Sequence, residues 1–306
     1  MTDASVFPAP SPCNQCPRRC NVRRNEALGF CGVSSAFRVA RCALHPWEEP
    51  PISGTNGSGT IFFSGCNLRC VFCQNREISH ERLGKEMSPD ELLDQMLRLQ
   101  AAGAHNINLV TPSHYTKELI PVLRRAKPLL HIPIVWNSSC YELPETLHRL
   151  EGLVDIYLPD VKYFSSALSA DYSAAPDYFP VAVSALREML RQVGAPQYDP
   201  HTGLLQKGVI VRHLVLPGQR RDSAAVLQAL AETFGTDHFL LSLMRQYTPD
   251  FAMGCPFENL HRRLTTFEYR FVADRASALG FDGFLQDASS ATASFTPDFH
   301  ESSQPS

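Results

Sequence analysis

No stretch of the chain approaches the roughly 18 consecutive apolar residues a membrane-spanning helix needs, so no membrane partner is expected. Basic residues are not in excess: 28 Lys and Arg stand against 31 Asp and Glu, a formal charge of −3. That balance argues against nucleic-acid binding through a broad phosphate-attracting field. The opening MTDASVFPAP has no basic stretch followed by an apolar one, so no secretory signal is read there. A soluble, cytoplasmic protein is the expectation. A small secreted disulfide scaffold is excluded by the length and by the missing signal.

What the chain does have is cysteine: ten in 306 residues, eight of them before residue 74. In a reducing compartment, cysteines clustered in this way bind metal more often than they pair. The 44% hydrophobic content is enough for one large α/β barrel or two ordinary domains.

Short apolar runs alternate with helical patterns along most of the sequence, the rhythm of repeated βα units and a parallel sheet. Strands are expected at Thr60–Ser64, Ile107–Val110, Ile132–Trp136, Val154–Leu158, Val209–Val215 and Phe239–Leu243, with a seventh at Gly283–Gln286. Ser88-Pro89-Asp90-Glu91 combines an N-cap serine, a proline at the first helical position and a capping-box glutamate. It should start a helix with Leu92, Leu93, Met96, Leu97 and Leu99 on its apolar face. Further helices are expected near 114–126, 143–150, 178–193, 223–234 and 262–279. Six to seven parallel strands make an open or incomplete (β/α) barrel, whose chemistry sits on loops at the C-terminal strand ends. The division expected is a flexible tail at 1–12, a Cys-rich metal-binding extension at 13–50, the barrel at 55–286 and a disordered tail at 287–306.

Directly after the first expected strand comes Gly65-Cys66-Asn67-Leu68-Arg69-Cys70-Val71-Phe72-Cys73-Gln74-Asn75. Cys66, Cys70 and Cys73 form C-x3-C-x2-C, and three thiolates on a [4Fe–4S] cubane leave one iron without a protein ligand. An electron-transfer cluster normally takes four. Gly65 lets the backbone turn sharply off the strand.

With this motif in this place, the chain resembles the radical S-adenosylmethionine (SAM) superfamily. Within it, the chain resembles the proteins similar to pyruvate formate-lyase activating enzyme, from about residue 13 to 286. The resemblance implies an α/β fold, a partial (β/α)6 barrel with a small amino-terminal Cys-rich extension. It also implies that SAM on the open iron is reductively cleaved to a 5′-deoxyadenosyl radical, which abstracts hydrogen from a protein or peptide. A glycyl-radical enzyme is the target so implied, and a flavodoxin or ferredoxin the reducing partner.

The resemblance also assigns residues. Phe72 matches an aromatic residue that lies by the adenine, and Asn75 a polar residue of the same loop. The family's Gly-Gly-Glu-type motif after the second strand, which contacts the SAM amino group, is replaced here by Val110-Thr111-Pro112-Ser113-His114. Thr111 and Ser113 can hydrogen-bond an amine, but no acid is present. Asp160-Val161-Lys162 resembles an Asp-x-Lys motif that touches SAM's polar groups. Asn137 and Ser138 follow the third strand, and Arg212 can pair with the SAM carboxylate. His213 points to the opposite strand face, and His114 is read as structural. The bland alternative is an Asp160–Lys162 pair with Arg212 supporting the barrel floor.

Cys13, Cys16, Cys20 and Cys31 form C-x2-C-x3-C with a distant fourth cysteine, able to close a tetrahedral site. Zinc and a second iron–sulfur cluster both fit that spacing. A branch of activase-like proteins carries a similar start. Cys42, Cys140 and Cys255 have no partner at a recognisable spacing and are read as buried small hydrophobes. Two rival functions remain at this stage: a radical SAM catalyst acting on a small molecule or RNA base, and a non-catalytic iron–sulfur or zinc module.

Overall fold

The computed structural model describes residues 12–286, Pro297 and Phe299. Strand β1 (Phe37–His45) leads through a single turn, α1 (Pro50–Ser53), to β2 (Ser58–Phe63). Next come α2 (Arg76–Ser79), β3 (Lys85–Met87), α3 (Pro89–Ala101), β4 (Ile107–Val110) and α4 (Thr116–Ala126). The alternation continues through β5 (Ile134–Ser138), α5 (Pro144–Leu147), β6 (Ile156–Pro159), α6 (Ser166–Ser173) and α7 (Tyr178–Val193). The last third holds β7 (Gln197–Tyr198), β8 (Leu205–Leu214), α8 (Arg220–Phe234), β9 (Leu240–Met244), α9 (Thr266–Leu279) and β10 (Gly283–Leu285).

One sheet joins the strands in the order β10-β9-β8-β6-β5-β4-β2-β1-β3, with β7 beside β8. The seven strands from β10 to β2 pair in parallel, and β1 runs antiparallel to both β2 and β3. Among the described residues the sheet keeps two free ends, so the barrel is open. Every expected strand and long helix is present within a few residues. Helix α3 starts as the sequence indicates: the Ser88 hydroxyl accepts from Glu91 N–H, and the Glu91 carboxylate accepts from Ser88 N–H at 2.7 Å. No helix among the described residues is long and apolar enough to cross a membrane.

Three differences from the sequence reading stand out. Strand β1 was not expected; Arg38 and Arg41 interrupt its apolar pattern, yet Phe37, Val39 and Cys42 are buried. It lies within residues 13–50 but pairs along β2, so that segment ends inside the main sheet. Helix α6 was also missed, because SALSADYS carries almost no helical apolar stripe. Residues 1–11 and most of 287–306 lie outside the described residues. Phe299, however, is buried edge-to-face against Phe62 at 5.4 Å, beside Ile78 and Val110.

Strand alternation explains where the site forms. Outward residues such as Trp136, Tyr157, Val211 and Leu241 join the core beneath the helices. Inward Val135, Ile156, Leu158, Ile210 and Leu240 pack around Ile52 of α1, which plugs the barrel interior. Two residues on, at the C-terminal end, the inward positions turn polar: Asn137, Asp160, Arg212 and Ser242. Because side chains repeat with period two, a shift of one residue in any strand would exchange these layers.

Candidate active site

Gly65 (φ +85°) turns the chain off β2. A Cβ there would lie 2.9 Å from the Cys31 carbonyl oxygen and from Val33, so only glycine fits. The loop that follows brings three thiols together, each beside a polar group. Leu68 N–H points to Cys66 Sγ at 3.4 Å, the Ser173 hydroxyl to Cys70 Sγ at 3.0 Å, and Ser79 Oγ lies 3.2 Å from Cys73 Sγ. Burial, with the neighbouring Cys70, pushes the Cys66 thiol up to about 12 and the Cys73 thiol to about 11. Such thiols stay protonated unless a metal displaces the proton, and the Lys162 ammonium nearby favours their anionic form. Among the described residues no three Cys, His, Asp or Glu side chains are arranged to hold a single metal ion. A cubane asks for a different arrangement, since each thiolate binds a separate iron, and this half-buried trio on one loop, each sulfur beside a polar group, fits one.

Cys70 and Cys73 open onto a cavity of about 320 Å³ at the mouth of the barrel. Phe72, Asn75, Asn137, Asp160, Lys162 and Arg212 all line it, so six of the eight expected SAM contacts meet in one place. Phe72 is buried and held edge-on by Tyr172 at 6.4 Å and Tyr247 at 6.2 Å. Asp160 does pair with Lys162 (2.7 Å), and with Arg212 Nε at 2.7 Å. Arg212 also donates to Asn137 Oδ1 (2.6 Å) and Glu48 Oε2 (3.2 Å). Burial alone would raise the Asp160 carboxyl, but Arg212 and Lys162 outweigh it and hold it below the ordinary carboxylate range. Lys162 is likewise raised against its burial by Asp160 and Cys70.

Thr111 and Ser113 lie outside the cavity wall. Thr111 takes a left-handed backbone (φ 59°), strained for a β-branched residue, while its N–H bonds the Asn137 carbonyl at 2.8 Å. The Ser113 hydroxyl serves buried Glu142, together with Trp136 Nε1 (2.8 Å) and Ser138 Oγ (2.5 Å). His213 turns to the outer face and meets the Val161 carbonyl at 2.7 Å. His114 meets the Ser64 carbonyl at 2.8 Å. Glu48 and Glu49 were not anticipated. They ride in on the connection from β1 to α1, and with β1 unrecognised nothing placed His45-Pro46-Trp47-Glu48-Glu49 inside a barrel.

The amino-terminal cysteines also converge. Cys13, Cys16, Cys20 and Cys31 line one small cavity of about 10 Å³, with His114 in its wall. Burial, with the other three thiols adding to it, raises the Cys16 thiol to about 11. Cys20 Sγ accepts from Phe30 N–H at 3.2 Å. The segment clasps the Cys66 loop: Arg18 donates to the Asn67 carbonyl at 2.8 Å, and Arg69 to the carbonyls of Cys66 (2.8 Å) and Phe30. Arg18 and Arg69 both lie over the Phe30 ring, at 3.8 and 4.3 Å. Cys42 and Cys140 are simply buried. Cys255 is half-buried, its Sγ 3.7 Å from His261 Nε2.

An open parallel barrel with a three-cysteine loop on its first parallel strand, facing a polar cavity at the strand ends, defines a class of iron–sulfur protein. Residues 60–228 match the family model of the radical SAM superfamily. The chain belongs to that superfamily. It is 28% identical to the uncharacterised protein MJ0674 of Methanocaldococcus jannaschii over 88% of this chain and 75% of that one. It is 37% identical to the pyruvate formate-lyase-activating enzyme of Clostridium pasteurianum over only 49 residues, 16% of this chain and 21% of that one. Among solved structures, Streptococcus suis SuiB bound to SAM superposes with a TM-score of 0.50 at 11% identity, over 75% of this chain and 50% of that one.

Proposed function

We propose that the protein is an enzyme that cleaves SAM reductively and abstracts hydrogen from a protein or peptide, in the manner of a glycyl-radical-enzyme activase. One observation carries the first part: Cys70 and Cys73 open onto the same cavity as Phe72, Asn75, Asp160, Lys162 and Arg212. Cys66, Cys70 and Cys73 would hold the [4Fe–4S] cluster, which when bound supplies the electron for cleaving SAM. The chain's own residues do the rest. Lys162, with Leu68 N–H at Cys66 and Ser79 at Cys73, favours the thiolate form of those two residues. The Asp160–Arg212–Glu48 network fixes polar groups against the cofactor, and Phe72 offers the adenine a flat face.

The peptide target draws support from an open groove of about 820 Å³ beside the cavity. It is lined by Val71, Glu77, Phe251, Met253 and Cys255, and shares Gln74 and Pro297 with the cavity. An extended chain lying there would pass beside the Cys66 loop. A cytoplasmic setting with a flavodoxin or ferredoxin as reductant goes with this reading. Phe72→Ala should weaken SAM binding about fivefold, for the loss of roughly 1 kcal/mol of aromatic packing, while iron content stays unchanged. Equilibrium dialysis with labelled SAM checks this; equal affinity in both proteins would place Phe72 in the scaffold.

We infer also that Cys13, Cys16, Cys20 and Cys31, which line one cavity but are not drawn together around a single ion here, hold a second, fully ligated metal centre once loaded, either zinc as a folding staple or an iron–sulfur cluster as an electron relay. Metal analysis of a protein lacking Cys66, Cys70 and Cys73 separates the two. About one zinc per chain supports the staple, and about four irons the relay. Neither metal in that protein, with normal activity after residues 1–35 are deleted from the wild type, rules out both.

A further inference from the structure

We propose that the floor of the cavity is a seat for a cationic nitrogen of a bound ligand, with Glu49 as its acceptor. The inference rests on the cavity being the chamber for cofactor and substrate.

Glu48 and Glu49 enter the cavity side by side just before the Ile52 plug, but only one of them is satisfied. Glu48 Oε1 accepts from Asn108 (3.1 Å) and Asn137 (3.4 Å), and its Oε2 from Arg212 (3.2 Å). Glu49 is 7% exposed and lines the cavity, and its Oε2 has no hydrogen-bond partner. The Ser242 hydroxyl serves the same carboxyl group. A buried carboxylate oxygen left without a donor is unfavourable, and in a cavity wall a ligand can supply that donor.

Charge narrows the class of ligand. The cavity wall carries three carboxyl groups (Glu48, Glu49, Asp160) and two cations (Lys162, Arg212). His45 also lines it, but burial and then Arg41 push the imidazole down to about 4, so it is neutral near pH 7. Burial pushes the Glu49 carboxyl up to about 7, with Arg212 opposing it, so near pH 7 it stands between its two forms. An ammonium or guanidinium offers the free oxygen both charge and N–H and so favours the ionised form, whereas an anionic group would be repelled by the three carboxyl groups. A ligand so anchored shares one cavity with Cys70 and Cys73, within the reach of the cluster loop.

Two sources carry such a nitrogen: the ammonium of SAM itself, or a cationic group of the substrate. Binding to cluster-loaded wild-type and Glu49→Gln proteins distinguishes them. S-adenosylhomocysteine keeps the ammonium, and methylthioadenosine lacks the whole amino-acid part. n-Butylammonium, added to SAM-loaded protein and followed through Trp47 in the cavity wall, reports a substrate seat. The expected result is a loss of about tenfold or more for one of the two amines, with methylthioadenosine unchanged. Loss of S-adenosylhomocysteine binding names the cofactor as the source, and loss of n-butylammonium binding names the substrate. Equal binding of both amines by wild type and variant would overturn the proposal, and so would a parallel loss of methylthioadenosine. Should Glu49→Gln fail to fold, Glu49→Asp, which keeps the charge but withdraws it by one methylene, carries the same comparison. None of these readouts needs SAM cleavage, so a failure here is separable from a failure of the radical SAM assignment.

Discussion

Cys70→Ala should abolish conversion of SAM to 5′-deoxyadenosine and methionine, and should remove the visible absorbance and the iron of the cluster at that site. Cys70 Sγ accepts from the Ser173 hydroxyl at 3.0 Å, and Cys70 helps to raise the Lys162 ammonium. With only Cys66 and Cys73 left, the loop cannot supply the three thiolates that a site-differentiated cubane needs. Cys66→Ala and Cys73→Ala should behave alike, while any metal at Cys13, Cys16, Cys20 and Cys31 stays bound. Retention of four irons at this site and wild-type turnover in Cys70→Ala would falsify the ligand assignment.

The second large effect concerns Arg212. Its guanidinium bonds Asp160, Glu48 and Asn137 from a largely buried position at the end of β8. Arg212→Met takes their shared partner from Asp160 and Glu48, in a wall that also holds Glu49, with only Lys162 to compensate. Removing one partner from a buried ionic network costs about 3–5 kcal/mol, because the stranded charge remains desolvated. The urea midpoint should fall accordingly, and adding Glu48→Gln should recover part of the loss by deleting one stranded charge. A change below about 1 kcal/mol in the single variant would mean that water reaches these groups freely and that the network carries little load.

Much of this arrangement was legible in the sequence because it depends on local signals. The strand–Gly65–cysteine run needs only a β-strand and its turn to place three thiols on one loop. Asn137, Asp160 and Arg212 fall at inward positions of their strands by simple alternation, which also sends His213 outward. What stayed hidden depends on long-range pairing. β1 lies between β2 and the short β3, its residues alternate imperfectly, and its antiparallel partners are fixed only once β2 sits in the sheet. Without it, Glu48 and Glu49 fall at the end of the segment 13–50 assigned to the Cys-rich extension, outside the barrel. Thr111 and Ser113 failed to reach the cavity for a related reason: the left-handed turn at Thr111 and the demand of buried Glu142 draw that loop away. Neither is visible from residue spacing.

On the function proposed above, the Cys66 loop carries a cluster that cleaves SAM. The most direct test is anaerobic reconstitution of the wild-type protein with iron and sulfide, reduction in the presence of SAM, and chromatographic measurement of 5′-deoxyadenosine over time. 5′-Deoxyadenosine and methionine should form in equal amounts, with none when SAM or reductant is omitted. A protein that takes up its cluster, binds SAM and still yields no 5′-deoxyadenosine would contradict that function.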